Sequence, residues 1–157
     1  METLGLLKTV SDIESGLGKG IENAADRIDN ATQEKRDLTE LSRKLAKKIE
    51  KDNRVTFKEP EALRAHVKQL KSTLGEGIEE WESFVQGKTE FVSQATLDSV
   101  KDDLFYAKEL NGIDIERDTA KITKLLQQRK MLIEGLQRMH QAIDRMLSSM
   151  HRIARRG

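Results

Sequence analysis

Apolar residues recur along this chain at alternating spacings of three and four. That repeat belongs to helices that press one stripe against a partner over many turns. It runs through Leu17, Ile21, Ala24, Ile28, Ala31, Lys35, Leu38, Ser42, Leu45 and Ile49. It returns in Leu63, Val67, Leu70, Leu74, Gly77, Trp81 and Phe84. A third run takes in Ile115, Asp118, Ile122, Leu125, Arg129, Leu132, Leu136, Met139, Ile143, Met146, Met150 and Ile153. The pattern predicts an all-α chain in a single domain over residues 1–157. The expected form is an elongated antiparallel helical bundle with coiled-coil-like heptad packing, built from three long helices and one short.

Punctuation residues set the expected boundaries. Helix 1 is predicted over about 3–52, its stripe opening with Leu4, Leu7, Val10 and Ile13. Gly16, Gly18 and Gly20 each cost a helix interior about 1 kcal/mol relative to Ala, so a kink is expected at 16–20. From Asn53 to Pro60 the pattern breaks. Val55, Thr56 and Phe57 favour extended structure, and Pro60 suits the first turn of a helix. Helix 2 is predicted over about 60–92, weakened late by Gly75, Gly77 and Gly87, with Trp81, Phe84 and Phe91 marking a crowded part of the core. Helix 3, about 96–110, turns Leu97, Val100, Leu104 and Ala107 inward. Asn111-Gly112 is a predicted stop, because both residues tolerate the left-handed conformation. Helix 4 is predicted over about 114–155. Leu126, Ile133, His140 and Leu147 form a further column beside its stripe, which implies contact with more than one neighbour.

Composition narrows the chemistry. Charged residues make up 35% and aromatics 4%, with one Pro, which suits long solvated helices. The absence of Cys removes thiol nucleophiles, disulfides and Cys-ligated metals. Net charge is +1, so only local clustering argues for a charged partner. No run is long and apolar enough for a membrane span, and the N-terminus lacks signal-peptide features. A cytoplasmic location is expected, with leaderless secretion as the alternative.

The strongest cluster lies near the C-terminus. Arg138, Arg145 and Arg152 fall seven apart on one flank, followed by Arg155 and Arg156, with Asp144 the one acid among them. Such a ridge suits phosphates or an acidic partner, since Arg pairs bidentately with both. A solvated flank, or pairing with the acid-rich stretch Glu76–Asp103, is the plainer expectation. Met131, Met139, Met146 and Met150 crowd the same helix. The three on the stripe are expected to pack in the core, whereas Met131 lies off it and is expected at the surface. Met is also adaptable enough to line a groove for a partner helix. Lys35, Ser42, Asp118 and Arg129 interrupt the stripes, and Lys35 and Arg129 are candidates for setting register or partner choice.

Other features carry less. The basic residues between Lys35 and Arg54 interleave with acids at helical spacing, for example Glu40 with Lys44, as on an exposed face. Gly16-Leu17-Gly18-Lys19-Gly20 lacks the order of a phosphate loop, and fits a hinge or close helix crossing better than membrane contact. No Glu-x-x-His or His-Glu-x-x-His is present, so no metal, cofactor or small-molecule substrate is expected.

Arg145 and His151, with five residues between them, resemble the Arg…His motif of HEPN-type ribonucleases, which are helical bundles of comparable size. The resemblance covers these two residues on one helix. It implies RNA cleavage, although Met146 stands where that family usually has a polar residue. The reading favoured by the residues is a non-enzymatic protein–protein interaction or assembly module: an adaptor, structural subunit or secretion-associated factor. It would act through amphipathic helix faces on a protein partner or a second copy. Nucleic-acid or acidic-partner binding through the basic C-terminal helix is the alternative, and a HEPN-like ribonuclease a remote one.

Overall fold

A computed structural model describes residues 2–71 and 78–156, with side chains from residue 5 onward. The expected stripe positions Leu74 and Gly77, and Gly75, lie outside the described residues, as does the side chain of Leu4. The elements are α1 (Glu2–Ala46), β1 (Lys48–Lys51), β2 (Arg54–Phe57), α2 (Pro60–Gln69), α3 (Glu79–Val85), β3 (Val92–Ser93) and α4 (Gln94–Arg156). The chain is mostly helical, as the repeat predicts, with a small three-stranded sheet added. It divides into two compact units, one of Ile28–Glu116 and one of Met1–Arg27 with Arg117–Gly157. The long helices α1 and α4 contribute residues to both.

The Ile28–Glu116 unit holds the hydrophobic core. Leu38, Leu41 and Leu45 of α1 meet Val55 and Phe57 of β2, Leu63 and Val67 of α2, Trp81 and Phe84 of α3, and Leu97, Val100 and Leu104 of α4. Phe57, Trp81 and Phe84 form an aromatic trio with ring centroids 5.2–6.4 Å apart. Phe91 is more exposed and carries the Arg54 guanidinium 4.6 Å from its ring centroid.

Helix 1 ends at Ala46 rather than near Asp52, because residues 48–57 form a hairpin. Lys48–Lys51 pairs antiparallel with Arg54–Phe57 across the two-residue turn Asp52-Asn53. Both turn residues have positive φ, 53° and 60°, as tight hairpin turns of primed type require. Val55 and Phe57 point inward, whereas Ile49, the last expected stripe residue, is 56% exposed on the edge strand. The helix runs unbroken through Gly16, Gly18 and Gly20.

The predicted second helix is two helices. Pro60 does sit in the first turn of α2. The later helix, α3, closes on Gly87 at φ 79°. The Gly87 N–H bonds to Phe84 O at 3.0 Å and the Lys88 N–H to Ser83 O at 2.9 Å. These two bonds satisfy the last carbonyls of the helix, and only Gly adopts that conformation without strain.

The predicted third and fourth helices are one. Leu97, Val100, Leu104, Ala107, Asn111, Asp114 and Asp118 alternate three and four without a skip, so the inward face carries straight through Asn111-Gly112. Asn111 is buried on that face. Tertiary packing outweighs a propensity worth about 1 kcal/mol per Gly.

Candidate interaction surface

In the other unit, α1 from Glu2 to Arg27 runs beside α4 from Arg117 onward, in the opposite direction. The register is read from three contacts. The Arg27 Nε–H donates to Asp118 Oδ1 at 3.1 Å. A Cβ on Gly20 would lie 3.1 Å from Leu125 Cδ1. Arg129 lies 3.5 Å from Glu14. Leu6, Leu7 and Val10 then share a groove with Leu136, Met139 and Ile143. The same register sets Glu2 level with Ile143.

Two helices side by side bury little. Among the described residues of this unit, Ala24 and Asp118 alone are buried, and the stripe residues Leu17, Ile21, Ile122, Leu125, Leu132 and Leu136 are half-buried. Past Leu136 the stripe opens to solvent. Met139 and Ile143 are 42% and 44% exposed, and Met146, Met150 and Ile153 rise to 64%, 63% and 71%. Leu147 beside them is 59% exposed. The expectation that Met139, Met146 and Met150 pack in the core is therefore corrected: Met139 lines the rim of the groove, and Met146 and Met150 stand open among the described residues. Met131 is 70% exposed. His140, in the column beside the stripe, is exposed and lies 3.7 Å from Asp144.

The Arg ridge flanks this open stripe. Arg138 approaches Glu134 at 3.9 Å. Arg145, Arg152, Arg155 and Arg156 are exposed and have no ion pair among the described residues. Charge is distributed unevenly here. From Arg117 to Arg156, α4 carries ten basic residues and three acids, whereas α1 from Glu2 to Arg27 carries five acids and three bases. This unit thus has an excess of five positive charges, which the near-neutral total hides. Summing charge by helix rather than over the chain would have found it from sequence.

The polar interruptions of the stripes have separate fates. Asp118 is buried and paired with Arg27, and Arg129 is matched by Glu14. Lys35 is exposed, and Ser42 is half-buried. Arg145 and His151 are both exposed, and no hydrogen bond or ion pair joins them. Among the described residues no group of three His, Asp or Glu side chains comes together to hold a metal. No helix among them is long and apolar enough to cross a membrane.

Two polar clusters in the Ile28–Glu116 unit escaped the sequence reading. Arg64 is 6% exposed. Its Nε–H donates to Phe84 O at 2.8 Å and an Nη2–H to Thr89 O at 3.0 Å, with Glu61 2.7 Å away. It holds α2 to the segment that leaves α3, and its guanidinium lies 4.8 Å from the Phe84 ring centroid. Glu80 accepts from the Ser93 N–H and Oγ–H, both at 2.8 Å, and from the Thr96 hydroxyl. The Thr96 bond, and then those from Ser93, hold the Glu80 carboxyl below its ordinary range against the opposing effect of burial. These bonds fasten α3 to the start of α4, where Ser93 Oγ also accepts from the Thr96 N–H at 3.2 Å. A cavity of about 200 Å³ lies between α2, α3 and α4, walled by Val67, Trp81, Val85 and Val100. Both polar clusters are occupied in holding elements together.

No family model, curated protein or solved structure matches this chain.

Proposed function

We propose that this protein is a non-enzymatic interaction module whose working surface is the C-terminal part of α4. One observation carries the reading. The apolar stripe that packs against α1 as far as Leu136 continues in the same spacing through Met139, Ile143, Met146, Met150 and Ile153, where it is open to solvent. A heptad stripe is complementary to another helix, so coiled-coil-like pairing with a partner helix is the mechanism.

Magnitudes favour a regulated rather than an obligate contact. Fully burying one Leu, Ile or Met side chain is worth about 1.5–3 kcal/mol. Met139, Ile143, Met146, Leu147, Met150 and Ile153 are already about half covered on average. Completing their burial then contributes roughly 5–10 kcal/mol. Association costs about 4–15 kcal/mol in lost freedom. Apolar burial therefore brings a partner near balance, and the flanking Arg residues decide which partner binds.

Photo-crosslinking in cells tests this. A photoreactive amino acid is placed at position 150 on the stripe, and separately at position 148, about 160° round the helix. Discrete adducts from position 150, absent from position 148 and lost on Met146→Asp, are expected. Equal adduct yields from the two positions would refute the reading.

A further inference from the structure

The occupant of the α4 stripe can be specified further, on the basis that this stripe is an interaction surface. We infer that it receives an acidic amphipathic helix, laid antiparallel to α4 as α1 already is. The covered part of the stripe shows what such an occupant looks like. There α1 supplies apolar residues in heptad spacing, carries more acids than bases, and brings Glu14 to Arg129. The open part has the same stripe, with five Arg residues and a single acid, Asp144, beside it. Arg145, Arg152, Arg155 and Arg156 have no carboxylate among the described residues, and the unit is left with five excess positive charges. Carboxylates at the flanking positions of an incoming helix would pair with Arg145, Arg152 and Arg156, and basic ones would be repelled.

Other occupants fit less well. A second copy of this tail would bring an equal set of Arg residues against the first. A nucleic acid would engage the Arg flank and leave Met146, Met150 and Ile153 exposed. A bilayer surface favours a broad apolar face with aromatic residues at its edge, whereas residues 138–156 have none and their apolar stripe is narrow.

The test uses the whole protein and a labelled four-heptad helical peptide with Leu and Ile on its stripe and Glu on its flanks. Its twin has Lys in place of every Glu. Fluorescence anisotropy measures both, alongside a single-stranded RNA and vesicles of mixed zwitterionic and anionic lipid. The Glu peptide is expected to bind at least about tenfold more tightly than the Lys peptide and to weaken as salt rises. Met146→Asp should abolish binding, and Arg145→Glu with Arg152→Glu should reverse the preference. Retained helix content and an unchanged Trp81 emission show that the variants fold. Equal binding of the two peptides, or no binding of either, overturns the inference, as does tighter binding of RNA or vesicles. Sedimentation of the protein alone supplies a further arm: a dimer lost on Met146→Asp would make a second copy the occupant. In each of these cases position-150 adducts that persist in cells leave the interaction surface standing and remove only the acidic helix.

Discussion

Replacing Arg64 by Met should weaken the Ile28–Glu116 unit far more than its place on a short, polar-looking helix suggests. The thioether keeps much of the apolar stem, so the change isolates the guanidinium. Two donors are lost, those to the carbonyls of Phe84 and Thr89. A hydrogen bond from a charged group contributes about 1.5–3 kcal/mol. The contact with the Phe84 ring adds about 0.5–2 kcal/mol. Glu61 is 87% exposed, so its ion pair with Arg64 adds at most about 1 kcal/mol. Relief from burying the guanidinium offsets part of the total. A net loss of about 2–4 kcal/mol follows from these terms. Urea unfolding followed by fluorescence measures it, because Trp81 is the sole tryptophan and lies 5% exposed in the same core. With a slope of about 1–3 kcal/mol per molar urea, the midpoint should fall by roughly 1–2 M. Glu90, 73% exposed, lies 3.5 Å from Arg64, so Glu61→Gln and Glu90→Gln should each shift stability by less than about 1 kcal/mol. A midpoint for Arg64→Met within error of the native protein would refute the argument that these carbonyls depend on Arg64.

The paired-helix unit offers a contrast. Arg27→Met should destabilise by about 1–3 kcal/mol because it leaves the buried Asp118 carboxylate unpartnered, whereas Arg27→Met with Asp118→Leu should restore or exceed native stability in thermal melts. Glycines should split by environment. Gly87→Ala forces a side chain to φ 79° and should cost about 1–2 kcal/mol, while Gly16→Ala, with open space around its Cβ, should gain about 0.5–1 kcal/mol. Glu80 supplies a pH dependence. Its carboxyl is held below the unfolded value, so its contribution is present above pH about 4.3 and is lost as pH falls through the lower folded value. Glu80→Gln should flatten acid unfolding in that window; an unchanged acid limb would show that the Thr96 and Ser93 bonds carry no differential weight.

Helix content could be read from the heptad stripes, and so could the extended run at Val55–Phe57 and the position of Pro60. These depend on local spacing and backbone chemistry, which a sequence displays directly. Asp52-Asn53 between Lys48–Lys51 and Arg54–Phe57 was also a readable hairpin signal, but the apolar Ile49 fell in step with the helical stripe and masked it. Arg64 could not have been recognised, since its acceptors are backbone carbonyls twenty and twenty-five residues away. Glu80 was equally silent, because its partners Ser93 and Thr96 become neighbours only when α3 folds back on the start of α4.

Asn111-Gly112 and Met146 show most sharply where local pattern ends. The dipeptide is a sound stop signal in isolation. It fails here because Leu104, Ala107 and Asp118 are buried on one face of the helix on both sides of it, and that packing outweighs a local cost of about 1 kcal/mol. The periodicity around Met146 establishes that this residue belongs on a helix stripe. Whether a stripe is covered depends on which other segment lies alongside, and periodicity contains no term for that. Here α1 lies along α4 as far as the groove at Met139 and Ile143, while Met146, Met150 and Ile153 stand open. The same spacing is therefore packed as far as Leu136 and increasingly exposed beyond it, because burial is a property of two surfaces and the spacing of apolar residues describes one.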